Sequence, residues 1–246
     1  MSIKTAAELE KLQVIGKIVR TTLDAMAAAV RVGISTGELD QIALKVLTEH
    51  GAEPAPPKVY GFPGSACISV NEEAIHGIPG SRTLRDGDLV KLDLVAEKDG
   101  FFADAAVTVR VGKVSESADA LVRCAESSFA KAAKVARVGY RAYDIGRAIE
   151  REVHSFGFNV MPDLGGHGVG RTIHEAPNIP NFYDRTCRAR LAEGLVIAVE
   201  PIVTIGSGHA VMMRDGWTVR TVDRTLSAHF EHTIVVTKGE PIVLTA

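Results

Sequence analysis

Cysteine is scarce and unpatterned: Cys67, Cys124 and Cys187 lie far apart, with no C-x-x-C pair among them. Such spacing argues against a disulfide framework and predicts free thiols in a reducing compartment. An excess of charge of one sign is missing too. With 28 Lys and Arg against 30 Asp and Glu, the net charge is -2 and the pI about 6.5, so no basic field exists to draw nucleic acid or an anionic membrane. A small or uncharged substrate fits that balance better. Long apolar runs are absent. The longest, around LVIAVEPIV, is broken by Glu200 and Pro201 and falls well short of a bilayer, so no transmembrane helix is expected. The opening MSIKTAAELEKLQ carries charges where a signal peptide needs an apolar stretch, which predicts a cytoplasmic protein. Low-complexity tracts and long linkers are lacking as well; PAPPK at 54–58 reads as a loop, and residues 1–246 read as one domain.

What the chain does contain is an ordinary globular mixture, 46% hydrophobic and 24% charged, enough to bury a substantial core. It also contains a duplication. Arg31-Val32-Gly33 returns as Arg137-Val138-Gly139 and Gly51 returns as Gly157, both displaced by 106 positions. Between these landmarks, ELDQIALKVLTEHG and DIGRAIEREVHSFG place apolar residues at helical spacing and end on glycine, which reads as a helix with a glycine cap. A further helical stretch precedes each, over roughly 4–31 and 117–137. RDGDLVKLDLV and LAEGLVIAVEPIV read as strands, and each carries an acid six residues after its glycine: Asp93 after Gly87, Glu200 after Gly194. Two pseudo-symmetric halves, roughly 4–112 and 117–246, would bring these acids face to face. The expected class is α+β, with helix pairs and antiparallel strands sharing one sheet around a central site.

The acids inside apolar strands point to chemistry. Burying an unpaired carboxylate costs about several kcal/mol, so Asp93 and Glu200 need a positive partner. Asp104 follows Asp93 across the turn signal KDG, which predicts that the two aspartates stand nearly opposite each other. For any one acid, a nearby base such as Lys91 or Lys98, or a solvated strand face, would suffice. Four acids, Asp93, Asp104, Glu200 and Glu231 of HFEHTIVV, lack matched bases, and metal is the simpler cation. Two divalent ions cancel four carboxylates and leave one hydroxide as the excess negative charge. His167, in the glycine-rich GGHGVGRTIHEAP, reads as an imidazole aimed by a flexible loop. No GK[ST] follows it, so a phosphate-cradling loop does not fit.

With these segments in hand, the chain resembles the type I methionine aminopeptidases of the pita-bread fold. The resemblance runs from SIKTAAELEKLQVIGKIV to FEHTIVVT, through NEEAIHGIP, LRDGDLVKLDLV, KDGFFAD, GHGVGRTIHEAP, VEP and DGWTVRTVDRTLSAHFEHTIVVT. It implies that Asp93, Asp104, His167, Glu200 and Glu231 are the metal ligands, with Asp104 and Glu231 bridging two ions. Oxygen ligands with one imidazole suit Mn, Fe, Co or Zn. It further implies removal of the first methionine from peptides and nascent chains, with the ions activating a shared water and Glu200 accepting a proton. His76 and His174 match substrate-facing histidines, His174 donating to the developing oxyanion and His76 touching the scissile amide. Phe62, Cys67 and Trp217 correspond to apolar walls for an unbranched thioether, with Tyr60 beside them. The resemblance also implies a monomer and transient association with the ribosome.

Two departures bear on this expectation. Ile173 stands where the family often has an aromatic residue, which predicts an altered pocket contour. Ala105-Ala106-Val107 replaces hydroxyl-bearing and basic residues, a kind of change that costs about 10–100-fold in metal affinity or activity. Proline-directed peptidases share a similar ligand set but usually carry an extra N-terminal domain, whereas here the helical repeat begins near residue 4. A pseudoenzyme that binds protein or RNA would tend to lose ligands; all five are present, and no basic stripe with aromatics appears.

Overall fold

Helix α1 (Ala6–Ala29) starts where the Thr5 side chain accepts from the Glu8 amide, and it buries Leu12, Ile15, Val19, Leu23 and Met26 at three- and four-residue spacing. Helix α2 (Thr36–Glu49) opens on a capping box between Ser35 and Glu38, and the chain leaves it through Gly51 at φ +62°. These coordinates are a computed structural model describing all 246 residues. Residues 55–60 form a short helix, α3 (Ala55–Tyr60), and not the loop expected of PAPPK. Pro56 and Pro57 fall in its first turn, where a missing amide hydrogen leaves no bond unmade. The second half repeats the pair as α4 (Glu116–Val135), capped by Ser115, and α5 (Ala142–Ser155), which exits through Gly157 at φ +79°.

Helix α5 lies close against the strand Glu175–Pro180, and the contact runs through Gly146. A Cβ there would collide with the Phe182 carbonyl and come within 2.7 Å of the Pro180 carbonyl, both rigid backbone atoms. Gly146→Ala is therefore expected to destabilise the protein by about 1–3 kcal/mol despite alanine's better helix propensity. A thermal melt that is unchanged or raised would refute the close approach.

Both halves build one nine-stranded sheet. Its order is Glu53–Pro54, Leu89–Lys98, Phe101–Arg110, Glu231–Val235, Val196–Val199, Gly165–Gly168 and Glu175–Pro180, with Cys67–Val70 also paired to Leu89–Lys98 and Ile242–Val243 to Glu231–Val235. Every pairing is antiparallel, and the central pair takes one strand from each half. The KDG turn is a two-residue hairpin with Asp99 at φ +54° and Gly100 at φ +77°, the primed geometry that matches strand twist. Leu92, Leu94, Ala96, Ala103 and Ala105 point to α1 and α2. Ile197, Val199, Ile234 and Val236 pack under α4 and α5. Period-two alternation thus turns Asp93, Asp104, Glu200 and Glu231 to the face away from the helices. No helix is long and apolar enough to cross a membrane.

Candidate metal centre and substrate pocket

The register sets the carboxylates in rows. Cys67 faces Asp93, Asp93 faces Ala106, and Ala106 faces Glu231, one line of side chains across four strands. The Ala106 methyl is small, which leaves open space between the two acids. Asp104 stands nearly, but not directly, opposite Asp93. It faces Val95, so the aspartates share a face on a diagonal, two residues out of step, because the tight hairpin fixes the register. Asp104 and Glu231 come from the central strands, Asp93 and Glu200 from or beside the flanking ones, so the duplication maps acid onto acid.

His167 sits on a strand, Gly165–Gly168, instead of the loop inferred from its glycines. Those glycines serve close packing: a Cβ on Gly166 would strike the Ala198 carbonyl of the neighbouring strand. The sheet edge, pressed tight, carries His167 toward the acids. Ligand atoms of Asp104, His167 and Glu231 lie within 4.8 Å of one another. His167 Nε2 is 3.7 Å from Asp104 Oδ2 and 3.4 Å from Glu200 Oε1, and its Nδ1 lies 2.9 Å from the Gly168 carbonyl. Donation from Nδ1–H to that carbonyl leaves the Nε2 lone pair facing the carboxylates.

Electrostatics show what the cluster is missing. The four acids make no ion pair with lysine or arginine; the charged-group contacts of Asp104, Glu200 and Glu231 are to imidazoles. Asp104 Oδ1 and Glu231 Oε1 are buried with no hydrogen-bond donor. Burial, reinforced by neighbouring carboxylates, pushes Asp104, Glu200 and Glu231 well above the ordinary range, and burial lifts Asp93 to about 7. Burial also lowers His167 to about 4, which keeps its lone pair free. Orphaned oxygens, like charges and a neutral imidazole fit divalent cations. Cys67 stays a thiol, because burial and the nearby acids raise it well above normal, so it offers no thiolate.

Above the acids opens a cavity of about 260 Å³. His76, His174, Phe62, Cys67 and Trp217 all line it, as do Tyr60 and Ile173. Phe62 and Trp217 meet edge to face with centroids 5.3 Å apart. The His174 ring lies 4.2 Å from that of His167, and its Nδ1 is 2.6 Å from the Tyr60 hydroxyl. Burial and the Asp104 charge raise Tyr60, so its phenol stays protonated and can donate to Nδ1, leaving the ring hydrogen on Nε2. Of the Ala105-Ala106-Val107 segment, Ala106 shares the row of Asp93 and Glu231, while Ala105 is sealed in the core beneath α1.

Sequence reasoning missed His229. It is 1% exposed, its Nε2 is 3.7 Å from Glu200 Oε2 and 3.6 Å from Glu231 Oε2, and neither ring nitrogen has a hydrogen-bond partner. The signal was the spacing of HFE, which sets His229 two residues before Glu231. Lys91, an available base for Asp93 by sequence, instead carries its ammonium to Asn71 and Ser227.

Buried strand acids around a neutral imidazole, beneath an open pocket, define a metal-dependent hydrolase. The chain belongs to metallopeptidase family M24, which matches residues 10–238. It is 46% identical to methionine aminopeptidase 2 of Bacillus subtilis (strain 168), covering 100% of this chain and 99% of that one. Methionine aminopeptidase of Clostridium perfringens (strain 13 / Type A) is 44% identical, covering 99% and 98%. The crystal structure of methionine aminopeptidase from Thermotoga maritima superposes with a TM-score of 0.96 at 38% identity, covering 100% of this chain and 99% of that one, and the pita-bread fold is shared.

Proposed function

We propose that this protein removes the N-terminal methionine from peptides and nascent proteins by metal-dependent hydrolysis of the first peptide bond. The observation that carries the reading is the base-free set of Asp104, Glu200 and Glu231 buried around His167, with half-buried Asp93 in the row of Glu231, in a chain similar over its full length to enzymes of that name. These five residues would hold two divalent ions, Mn, Fe, Co or Zn. Bound there, the ions supply Lewis acidity toward the scissile carbonyl and acidify a water near neutral pH.

The chain's own groups account for the remaining work. The pocket above the acids admits a free α-amino end, which presents only the first residue. Glu200, 3.4 Å from His167, accepts the proton of the attacking water. His174, with its hydrogen on Nε2, donates to the carbonyl oxygen as negative charge develops, and His76 contacts the scissile amide. Phe62, Trp217 and Cys67 enclose the thioether, a sulfur suited to aromatic edges. In this reading one catalytic domain acts as a cytoplasmic monomer, meeting new N-termini at the ribosome.

The test is hydrolysis of Met-Ala-Ser by metal-loaded protein, beside Leu-Ala-Ser, N-acetyl-Met-Ala-Ser and Xaa-Pro peptides. Cleavage confined to the free methionyl peptide supports the reading, and preference for Xaa-Pro or no cleavage rejects it. His174→Ala is expected to lower kcat/KM about 10²–10³-fold, the usual effect of losing one oxyanion donor. Metal stoichiometry and metal Kd should not move, and a loss of metal in this variant would make His174 a ligand instead.

A further inference from the structure

Lys91 is the bulkiest of the fully buried side chains, 1% exposed, and its contacts are to neutral oxygens, not to a carboxylate. A buried charge without a counterion is costly, so its presence calls for a role. Its Nζ donates to the Asn71 carbonyl at 2.6 Å, the Ser227 carbonyl at 3.2 Å and Ser227 Oγ at 3.3 Å. Ser227 Oγ also lies 3.0 Å from the Asn71 carbonyl and 3.3 Å from the Glu73 carbonyl, to either of which its hydroxyl can donate. Three oxygens thus surround Nζ, as many as a lysine amino group has positions to meet. A cluster of carbonyl oxygens is also the usual surrounding of a bare monovalent cation.

The location connects this amino group to the metal centre. Lys91 lies on the strand of Asp93, two residues earlier and on the same face. Asn71 follows the strand Cys67–Val70 of the first half, and Ser227 opens the strand Ser227–His229 of the second. That strand delivers His229 and, across Phe230, Glu231. We propose that Lys91 is a positioning residue: its amino group clamps the Asn71 turn to the Ser227 strand and so sets His229 and Glu231 against Asp93. The proposal rests on the metal-ligand reading above.

Lys91→Met keeps the length of the side chain and removes its hydrogen bonds to Asn71 and Ser227. Calorimetric titration with Mn²⁺ is expected to show affinity reduced about 10–100-fold, the effect of losing a group that orients ligands. Lys91→Ala should lose as much and recover at least tenfold in ammonium chloride but not in choline chloride of equal strength, a selectivity that packing alone does not explain. Binding by Lys91→Met within twofold of wild type overturns the proposal. So does a Lys91→Ala protein that ammonium neither folds nor restores. Wild-type protein that fails to bind Mn²⁺ would reject the metal reading instead, which keeps the two failures apart.

Discussion

Replacing Asp104 by asparagine is expected to abolish turnover and metal binding while making the metal-depleted protein harder to melt. Asp104 lies on one of the two central strands, 4% exposed, with Oδ1 unpartnered and Oδ2 near His167 Nε2. Its carboxyl is held well above the ordinary range first by burial and then by Asp93. Lewis-acid stabilisation of the reaction is worth several kcal/mol, and about 1.4 kcal/mol is a factor of ten, so the loss in kcat/KM should reach about 10³-fold. The amide keeps the size of the side chain but has no ionised form to bury. Without metal, that removes the cost of keeping a buried carboxyl protonated. The melting point should rise, by about 2–4 °C for each kcal/mol relieved in a chain of this length. Metal analysis, peptide hydrolysis and melts in chelator would measure all three effects. A variant that keeps its metal and more than a tenth of its turnover, or that melts below wild type in chelator, contradicts the assignment.

The same residues show why some features could be read in the sequence and others could not. Helix periodicity and terminal glycines depend on near neighbours, so α1, α2, α4 and α5 emerged within a few residues of their observed bounds. The acids were conspicuous because a carboxylate in an apolar strand violates a local rule, and the 106-residue duplication suggested that they meet. Features set by tertiary contact were not legible. GGHGVG looked like a flexible loop because glycine signals both freedom and close packing, and only the Ala198 carbonyl beside Gly166 decides between them. PAPPK looked like a break because proline ends helices, yet it also begins them. Lys91 is close to Asp93 in sequence, which suggests a partner for it, but nothing local indicates that Asn71 and Ser227 wait for its amino group. His229 was hidden for a related reason. A histidine two residues before an acid acquires meaning only once Glu200 arrives from another strand.

Chelation is expected to destabilise the protein more at pH 8 than at pH 6.5, and the sign follows from which groups hold protons in each state. In the metal-depleted fold Asp93 is raised to about 7, and Asp104, Glu200 and Glu231 lie well above the ordinary range, all principally through burial. An unfolded carboxylate titrates near about 4, so the folded state binds more protons across the interval above that, and stability falls as pH rises through it. Histidines act oppositely: burial lowers His167 and His232 to about 4 and His229 to about 3, so their contribution is lost as pH drops below about 6.5. Above that point they are neutral in both states. Burial draws Lys91 down to about 7, which opposes the acids above pH 7, but one amine faces several carboxylates, each contributing about 1.4 kcal/mol per pH unit. The chelated protein should therefore weaken from pH 6.5 toward pH 8. Metal does the reverse, since it binds the ionised carboxylates and competes with their protons. At about 100 times Kd it adds about 2.7 kcal/mol, or roughly 5–10 °C in melting point, and Kd itself tightens as pH rises. Melts with and without Mn²⁺ at both pH values would reveal the widening gap. An equal gap, or a chelated protein that gains stability toward pH 8, would mean that the four acids do not share one buried field.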